Sequence, residues 1–197
     1  MAKAAKSKST KSNWKEKVWY TLKAPEIFES REIGQLVSSD PENLKNRVVK
    51  VSLSSLSSAS VPTALFVNIK LRVTDVLGNA ANTKFIGHEF LSSYIKSLIK
   101  RRRSLIQNVV DVTTSDNKKI RLKTICITQF KVSERKKKDI RKLIANKLEE
   151  AASSSTFDIF CQEMLFGKLA VKVFNAAKKI APLKRFEIKK SELFEVF

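Results

Sequence analysis

Polar and apolar residues alternate most clearly in two runs. Between Arg47 and Leu53, Val49, Val51 and Leu53 alternate with Lys50 and Ser52. After a serine-rich connection and Pro62, Leu65, Val67, Ile69, Leu71 and Val73 alternate with Asn68, Lys70, Arg72 and Thr74. A period of two puts one side of each segment in a core and the other in water, which predicts strands of a sheet with one wet face. Gly78-Asn79 is a turn signal leading into a further strand, with Thr83, Phe85 and Gly87 on one face and Lys84 and Ile86 on the other. Val18 to Lys23 reads as a short strand stopped by Ala24-Pro25, since proline offers no ladder donor. Asn108 to Thr114 and Lys119 to Thr128 read as a hairpin around Ser115-Asp116-Asn117-Lys118, with Ile120 and Leu122 alternating with Lys119, Arg121 and Lys123. Ile33 to Asp40 is weakly patterned and reads as loop with one short turn.

The period changes to that of a helix near Glu89. Phe90, Leu91, Tyr94, Ile95, Leu98 and Ile99 fall on one arc and Ser92, Ser93, Lys96, Lys100 and Arg103 opposite, so the helix is expected to end in the cations Lys100 to Arg103, at the negative end of its dipole. From Ser133 to Ala151, Ile140, Leu143, Ile144 and Leu148 form one face, and Arg135, Lys138, Lys142 and Asn146 the other. Thr156 is the expected cap of a helix from Phe157 to Phe166, Gly167 its end, and Lys168 to Ile180 a further helix stopping before Pro182. Phe186 and Ile188 alternate with charged residues in a last strand, expected at the sheet edge. These elements predict an α+β fold: a mostly antiparallel, barrel-like β-sheet of about six or seven strands flanked by amphipathic α-helices. The expected organisation is a basic flexible tail over 1–17 and a single globular domain over 18–193, β-rich to 131, helical over 133–181, with its final strand over 183–190 and a C-terminal end at 194–197.

Charge changes the picture from fold to partner. Lys and Arg number 39 against 19 Asp and Glu, a net +20, far beyond what solubility needs. With 43% hydrophobic residues the chain can still build a core, so the excess belongs on its surface and calls for a polyanion. The expected RNA-binding residues are Lys3, Lys6, Lys8 and Lys11 of the tail, then Lys23, Lys96, Lys100, Arg101, Arg102, Arg103, Lys118, Lys119, Arg121, Arg135, Lys136, Lys137 and Lys138, with Trp19 and Tyr20 as candidates for base stacking. No zinc finger, RNP aromatic motif or GXXG loop occurs, so recognition is expected to rest on shape and backbone. Catalysis finds little support. His88 is the one histidine, no serine sits in a nucleophile elbow, and no P-loop or dinucleotide fingerprint occurs. Asp75, Asp111 and Asp116 are the carboxylates a Mg²⁺ nuclease would need, but Asp116 suits a turn and Asp75 a strand end. No enzyme activity, metal, cofactor, small-molecule substrate or membrane partner is expected. The sequence shows no signal-peptide pattern or long apolar run, and Cys126 and Cys161 are expected to be reduced and buried.

Several stretches together resemble one family. Trp19-Tyr20-Thr21-Leu22-Lys23-Ala24-Pro25 with Phe28, Ile33-Gly34, Leu44-Lys45-Asn46-Arg47, Val51-Ser52-Leu53 with Leu56, Asn82 to Gly87, Val110-Asp111-Val112-Thr113-Thr114 with Asp116, and Ile140-Arg141-Lys142 follow in order and spacing a small-ribosomal-subunit family shared by archaea and eukaryotes, S-three-a-e, also written e-S-one. The resemblance runs from about Val18 to Leu193 and implies a non-catalytic ribosomal protein with a β-barrel-like core and flanking helices. It implies a cytoplasmic place on the platform of the small subunit near the messenger RNA exit. The partners implied are small-subunit ribosomal RNA, neighbouring platform proteins and messenger RNA near the exit. Asn43 and Asn46 stand where members often have glycine, and Ser115-Asp116-Asn117 where Asp-Gly is more usual; asparagine tolerates the left-handed backbone such turns need. The alternative is a general nucleic-acid-binding protein of chromatin or RNA processing.

Overall fold

The computed structural model describes residues 17–56 and 63–194, so the tail lysines Lys3, Lys6, Lys8 and Lys11 and most of the serine-rich connection lie outside the described residues. The fold is α+β. Among the described residues eight strands form one mixed, open sheet: β1 (Val18–Lys23), β2 (Glu32–Ser38), β3 (Val48–Ser52), β4 (Val67–Leu77), β5 (Ala80–Phe90), β6 (Leu105–Thr113), β7 (Lys119–Thr128) and β8 (Leu183–Leu193). The helices are α1 (Leu53–Leu56), α2 (Ser92–Leu98), α3 (Glu134–Ser153), α4 (Phe157–Leu165) and α5 (Lys168–Ala177).

The sheet branches at β5. Its one side pairs with β4 along most of its length. Its other side is shared: Ala80, Ala81 and Asn82 pair in parallel with β1, and Gly87, His88 and Glu89 pair antiparallel with β8. Strand β8 continues the sheet into β7 and β6, while β1 carries β2 and β4 carries β3. The last strand is therefore not at the edge expected from its position in the chain. It is the seam joining the two halves of the sheet.

Helices cover one face of the β8–β7–β6 half. Ile140, Ile144 and Leu148 of α3 and Leu169, Val173 and Ala177 of α5 share a core with Ile106, Val110, Val112, Ile120, Leu122, Phe186 and Ile188. Burying each such aliphatic side chain contributes roughly 1.5–3 kcal/mol. A smaller cluster of Tyr20, Leu22, Leu44, Val73 and Ala81 fills the β1–β4–β5 end.

Four local expectations change. Residues Glu32–Ser38 form β2 because β1 offers them a full antiparallel ladder, which their weak pattern hides. Strand β5 runs on to Phe90 instead of yielding to a helix at Glu89, whose carboxylate meets Lys70 Nζ at 2.8 Å across the ladder. A register shift between Lys70 and Leu71 leaves Ile86 opposite no partner, so His88, not Gly87, follows Phe85 onto the core side. Finally, no side-chain bond from Thr156 caps α4. Asp116 does so instead, its Oδ2 accepting from the Phe157 N–H at 2.9 Å and tying the hairpin turn to the helix. Asn46 (φ 64°) and Asn117 (φ 56°) adopt the left-handed conformation that those turns require.

Candidate nucleic-acid interface

Ser104 and Thr128 set the geometry of the cationic surface. Both are buried at the start of β6 and the end of β7. The Ser104 N–H donates to Thr128 Oγ1 at 2.9 Å, and the Thr128 N–H returns a bond to the Ser104 carbonyl at 3.1 Å. Ser104 Oγ accepts from the Val132 N–H at 3.1 Å, and Thr128 Oγ1 donates to the Phe130 carbonyl at 2.6 Å. These bonds hold the loop carrying Lys100 to Arg103 against the segment 129–133 that opens α3. Two clusters more than thirty positions apart in sequence are thereby brought to one end of the hairpin.

The loop itself departs from expectation. Helix α2 has seven residues and stops at Leu98, Ile99 is already extended, and Arg102 turns left-handed at φ 63°. The arginines therefore stand on a tight exposed turn, and the dipole of α2 does not account for them. On the other side of the junction, Arg135, Lys136 and Lys138 are exposed in the first turns of the 20-residue α3, while Glu149 and Glu150 lie in its last turns. Apart from Glu134 in the first turn, that order runs against the helix dipole, which disfavours cations near an N-terminus. No side-chain bond caps this N-terminus. A local rule broken in this way is expected where a ligand compensates for it. Among the described residues, Arg101, Arg102, Arg103, Arg135, Lys136 and Lys138 meet no carboxylate at ion-pair distance.

Other candidates are separated from this surface or engaged. Lys118 and Lys119 lie at the hairpin turn, a nine-residue strand or about 30 Å away. Lys118 Nζ sits 4.5 Å from the centroid of the Phe157 ring. Arg121 grips Asp111 with two bonds of 2.7 Å, which hold the Asp111 carboxyl below the usual carboxylate range. Lys137 is paired with Glu134 at 2.6 Å. Lys96 is exposed on α2 beside the arginine loop, and Lys23 is half-buried on β1 in the other half of the sheet. Trp19 is 53% exposed, whereas Tyr20 is 5% exposed in the smaller cluster, a core position that removes it as a stacking platform. Exposed cations outside the expected set include Lys131 in the connecting segment and Lys142 on α3. Lys142 was legible, because it follows Arg135 and Lys138 at helical spacing.

The remaining polar chemistry is structural. His88 is 2% exposed, with Nδ1 2.7 Å from Ser191 Oγ and Nε2 2.8 Å from the Ile188 carbonyl. A carbonyl only accepts, so Nε2 carries the proton and Nδ1 accepts from the serine hydroxyl. Burial pushes the imidazole down to about 4 and keeps it neutral. Ser191 is 1% exposed, so this contact offers no substrate a way in. Both cysteines are free and buried, and burial raises both thiols, Cys126 to about 12. The Asp111 carboxylate accepts from Arg121, and that of Asp116 from the N–H that starts α4.

The model of the Ribosomal S3Ae family matches residues 5–196. Small ribosomal subunit protein eS1 of Methanobrevibacter smithii is 37% identical over 193 residues, covering 98% of this chain and 99% of that protein. Its namesake in Sulfurisphaera tokodaii is 37% identical over 185 residues, 94% and 95% of the two chains. That of Saccharolobus islandicus is 35% identical over 193 residues, 98% of this chain and 92% of the relative.

Proposed function

The chain belongs to the ribosomal S3Ae family, and from that premise we propose that it is a structural, non-catalytic constituent of the cytoplasmic small ribosomal subunit that clamps ribosomal RNA by its phosphates. The observation that carries the RNA reading is the junction at Ser104 and Thr128. It gathers Arg101, Arg102 and Arg103 with Arg135, Lys136 and Lys138, all exposed or half-exposed and, among the described residues, without carboxylate partners. An RNA backbone running past this end of the hairpin meets loop arginines on one side and the uncapped start of α3 on the other. Lys96, Lys131 and Lys142 extend the same surface, and Trp19 is the remaining candidate for stacking. The tail lysines Lys3, Lys6, Lys8 and Lys11 would add counterion release along the strand. A place on the platform near the messenger RNA exit, beside neighbouring proteins, follows from the family resemblance.

Sedimentation of cell extract through a sucrose gradient at moderate salt tests the assignment. The protein should travel with the small subunit in near-stoichiometric amount. If it stays at the top of the gradient or follows DNA, the chromatin or RNA-processing alternative replaces this one. The contact surface has its own test. Replacing Arg101, Arg102 and Arg103 together with alanine should weaken binding to small-subunit RNA by tenfold or more at about 0.1 M salt. It should also lower the log–log salt slope by about 2–3, at roughly 0.7–0.9 per phosphate contact. Arg101 and Arg102 are exposed and Arg103 half-exposed, so the melting temperature should stay within about 2 °C of the parent. An unchanged slope would take the loop off the RNA surface.

A further inference from the structure

Among the described residues the open sheet ends in three edges, and β6 is the least protected of them. Strand β3 is a five-residue edge carrying Lys50, and β2 contains Gly34 and meets β1 through an irregular register at Lys23. Short length, lysine and irregularity are ordinary protections against strand addition. Strand β6, by contrast, has nine residues, no proline, glycine or lysine, and an unbroken register with β7 from Leu105 to Thr113.

Hydrogen bonds around the strand show which backbone groups face outward. The Thr114 N–H points to the Lys118 carbonyl across the hairpin, and the Asn108 carbonyl faces β7, where it accepts from Thr124 Oγ1 at 3.4 Å. The Gln107 carbonyl points the other way and accepts from Arg141 Nε at 3.3 Å. Alternation therefore turns the N–H and C=O groups of Val109, Asp111 and Thr113 to the open edge. Arg141 covers the edge at Gln107, and among the described residues no hydrogen bond from α3 reaches the strand beyond Asn108. There a groove of about 590 Å³ runs between β6 and α3, lined by Asp111, Val112, Thr113, Asn146, Glu149, Glu150 and Ser153. Three carboxylates line it: Arg121 pairs with Asp111 and Lys147 with Glu150, while among the described residues Glu149 meets no cation at ion-pair distance. Val109 stands beside it 58% exposed. The carboxylate of Glu149 disfavours a phosphate here and favours a cationic side chain.

We propose that the β6 edge from Val109 to Thr113 is a docking site for an extended, lysine- or arginine-bearing segment of a neighbouring protein, added to the sheet as a further strand. The outward N–H and C=O groups supply the affinity. Side chains on the added strand reach Glu149 and Glu150 on one face and lie over Val109 on the other. The identity of that neighbour as a ribosomal protein rests on the function proposed above; the site itself does not.

Amide hydrogen exchange of the free chain, with a synthetic alternating Lys–Val heptapeptide as probe, tests it. Val109, Asp111 and Thr113 should slow at least tenfold on adding the peptide, while Val110 and Val112, already bonded to β7, stay unchanged. The matching Glu–Val peptide should do nothing. No slowing at millimolar peptide, or equal slowing with both peptides, overturns the site. In purified small subunits, a photo-crosslinking amino acid at position 109 should attach to protein, and attachment to RNA would overturn it. If the chain is absent from subunits, the ribosomal assignment fails and the peptide experiment still decides the edge.

Discussion

Gly87→Ala will destabilise the fold by about 3 kcal/mol or more, enough to lower the melting temperature of a chain this size by roughly 6–12 °C. The reason is the seam between the two halves of the sheet. A Cβ on Gly87 would lie 2.1 Å from the Ser191 carbonyl oxygen and 3.0 Å from its carbon. Both are backbone atoms of β8, so no rotamer change relieves the clash and the strand itself must move. Only three residue pairs, Gly87 with Glu192, His88 with Ser191 and Glu89 with Lys190, join β5 to β8. Moving β8 outward also stretches the bonds that Ser191 Oγ makes with the His88 ring (2.7 Å) and N–H (3.0 Å), leaving buried polar groups unsatisfied. The control is Gly34→Ala on β2, where an added methyl meets nothing within 4 Å; it should be neutral within about 0.5 kcal/mol. Urea titration of the two variants checks the contrast. Equal stabilities would show that the close approach at the seam is not a constraint.

The same seam shows what sequence reading can and cannot reach. Strand β4 and the first half of β7 were legible because one face of each is buried and the other wet, a local pattern with a period of two. Strand β2 was not, because its burial follows no clean alternation and its ladder partner β1 lies across a turn. The central place of β8 depends on contacts of Ser191 with a residue 103 positions away, which no spacing rule anticipates. The bulge at Ile86 reversed the expected faces of Gly87 and His88 for a similar reason: a single unpaired residue leaves no mark in composition. As for the candidate site, the cationic runs were plain in the sequence. Their grouping was not, since the union of 100–103 with 135–138 is made by two buried hydroxyls, Ser104 and Thr128, that look like ordinary strand-end residues. Charge counting also overstated Arg121 and Lys137, because their carboxylate partners lie across a strand pair and one helical turn away.

Acidification from pH 7.5 to pH 5 will remove about 2 kcal/mol of stability through His88 alone. The imidazole is neutral in the fold, its pKa pushed from 6.5 to about 4 by burial. In the unfolded chain it takes up a proton near 6.5. A native state that refuses a proton which the unfolded state accepts loses stability as pH falls through the unfolded pKa. The loss grows down to the native pKa and totals about 3 kcal/mol across the whole interval, at 1.36 kcal/mol per unit. The chain contains one histidine, so no other imidazole titrates in this window. Glu89, Asp111, Glu134 and Glu192, whose pKa values are lowered by lysine or arginine partners, give up stability only at lower pH, where carboxylates of the unfolded chain protonate. Glu187 acts in the opposite sense: burial raises its carboxyl, so acid recovers some stability there. Comparison with His88→Gln removes that contribution. The variant should be less stable at pH 7.5, having lost a bond to Ser191 or Ile188, yet its urea midpoint should hardly move between pH 7.5 and pH 5. A parent protein as indifferent to this interval as the variant would mean that the ring is not held neutral at the β5–β8 seam.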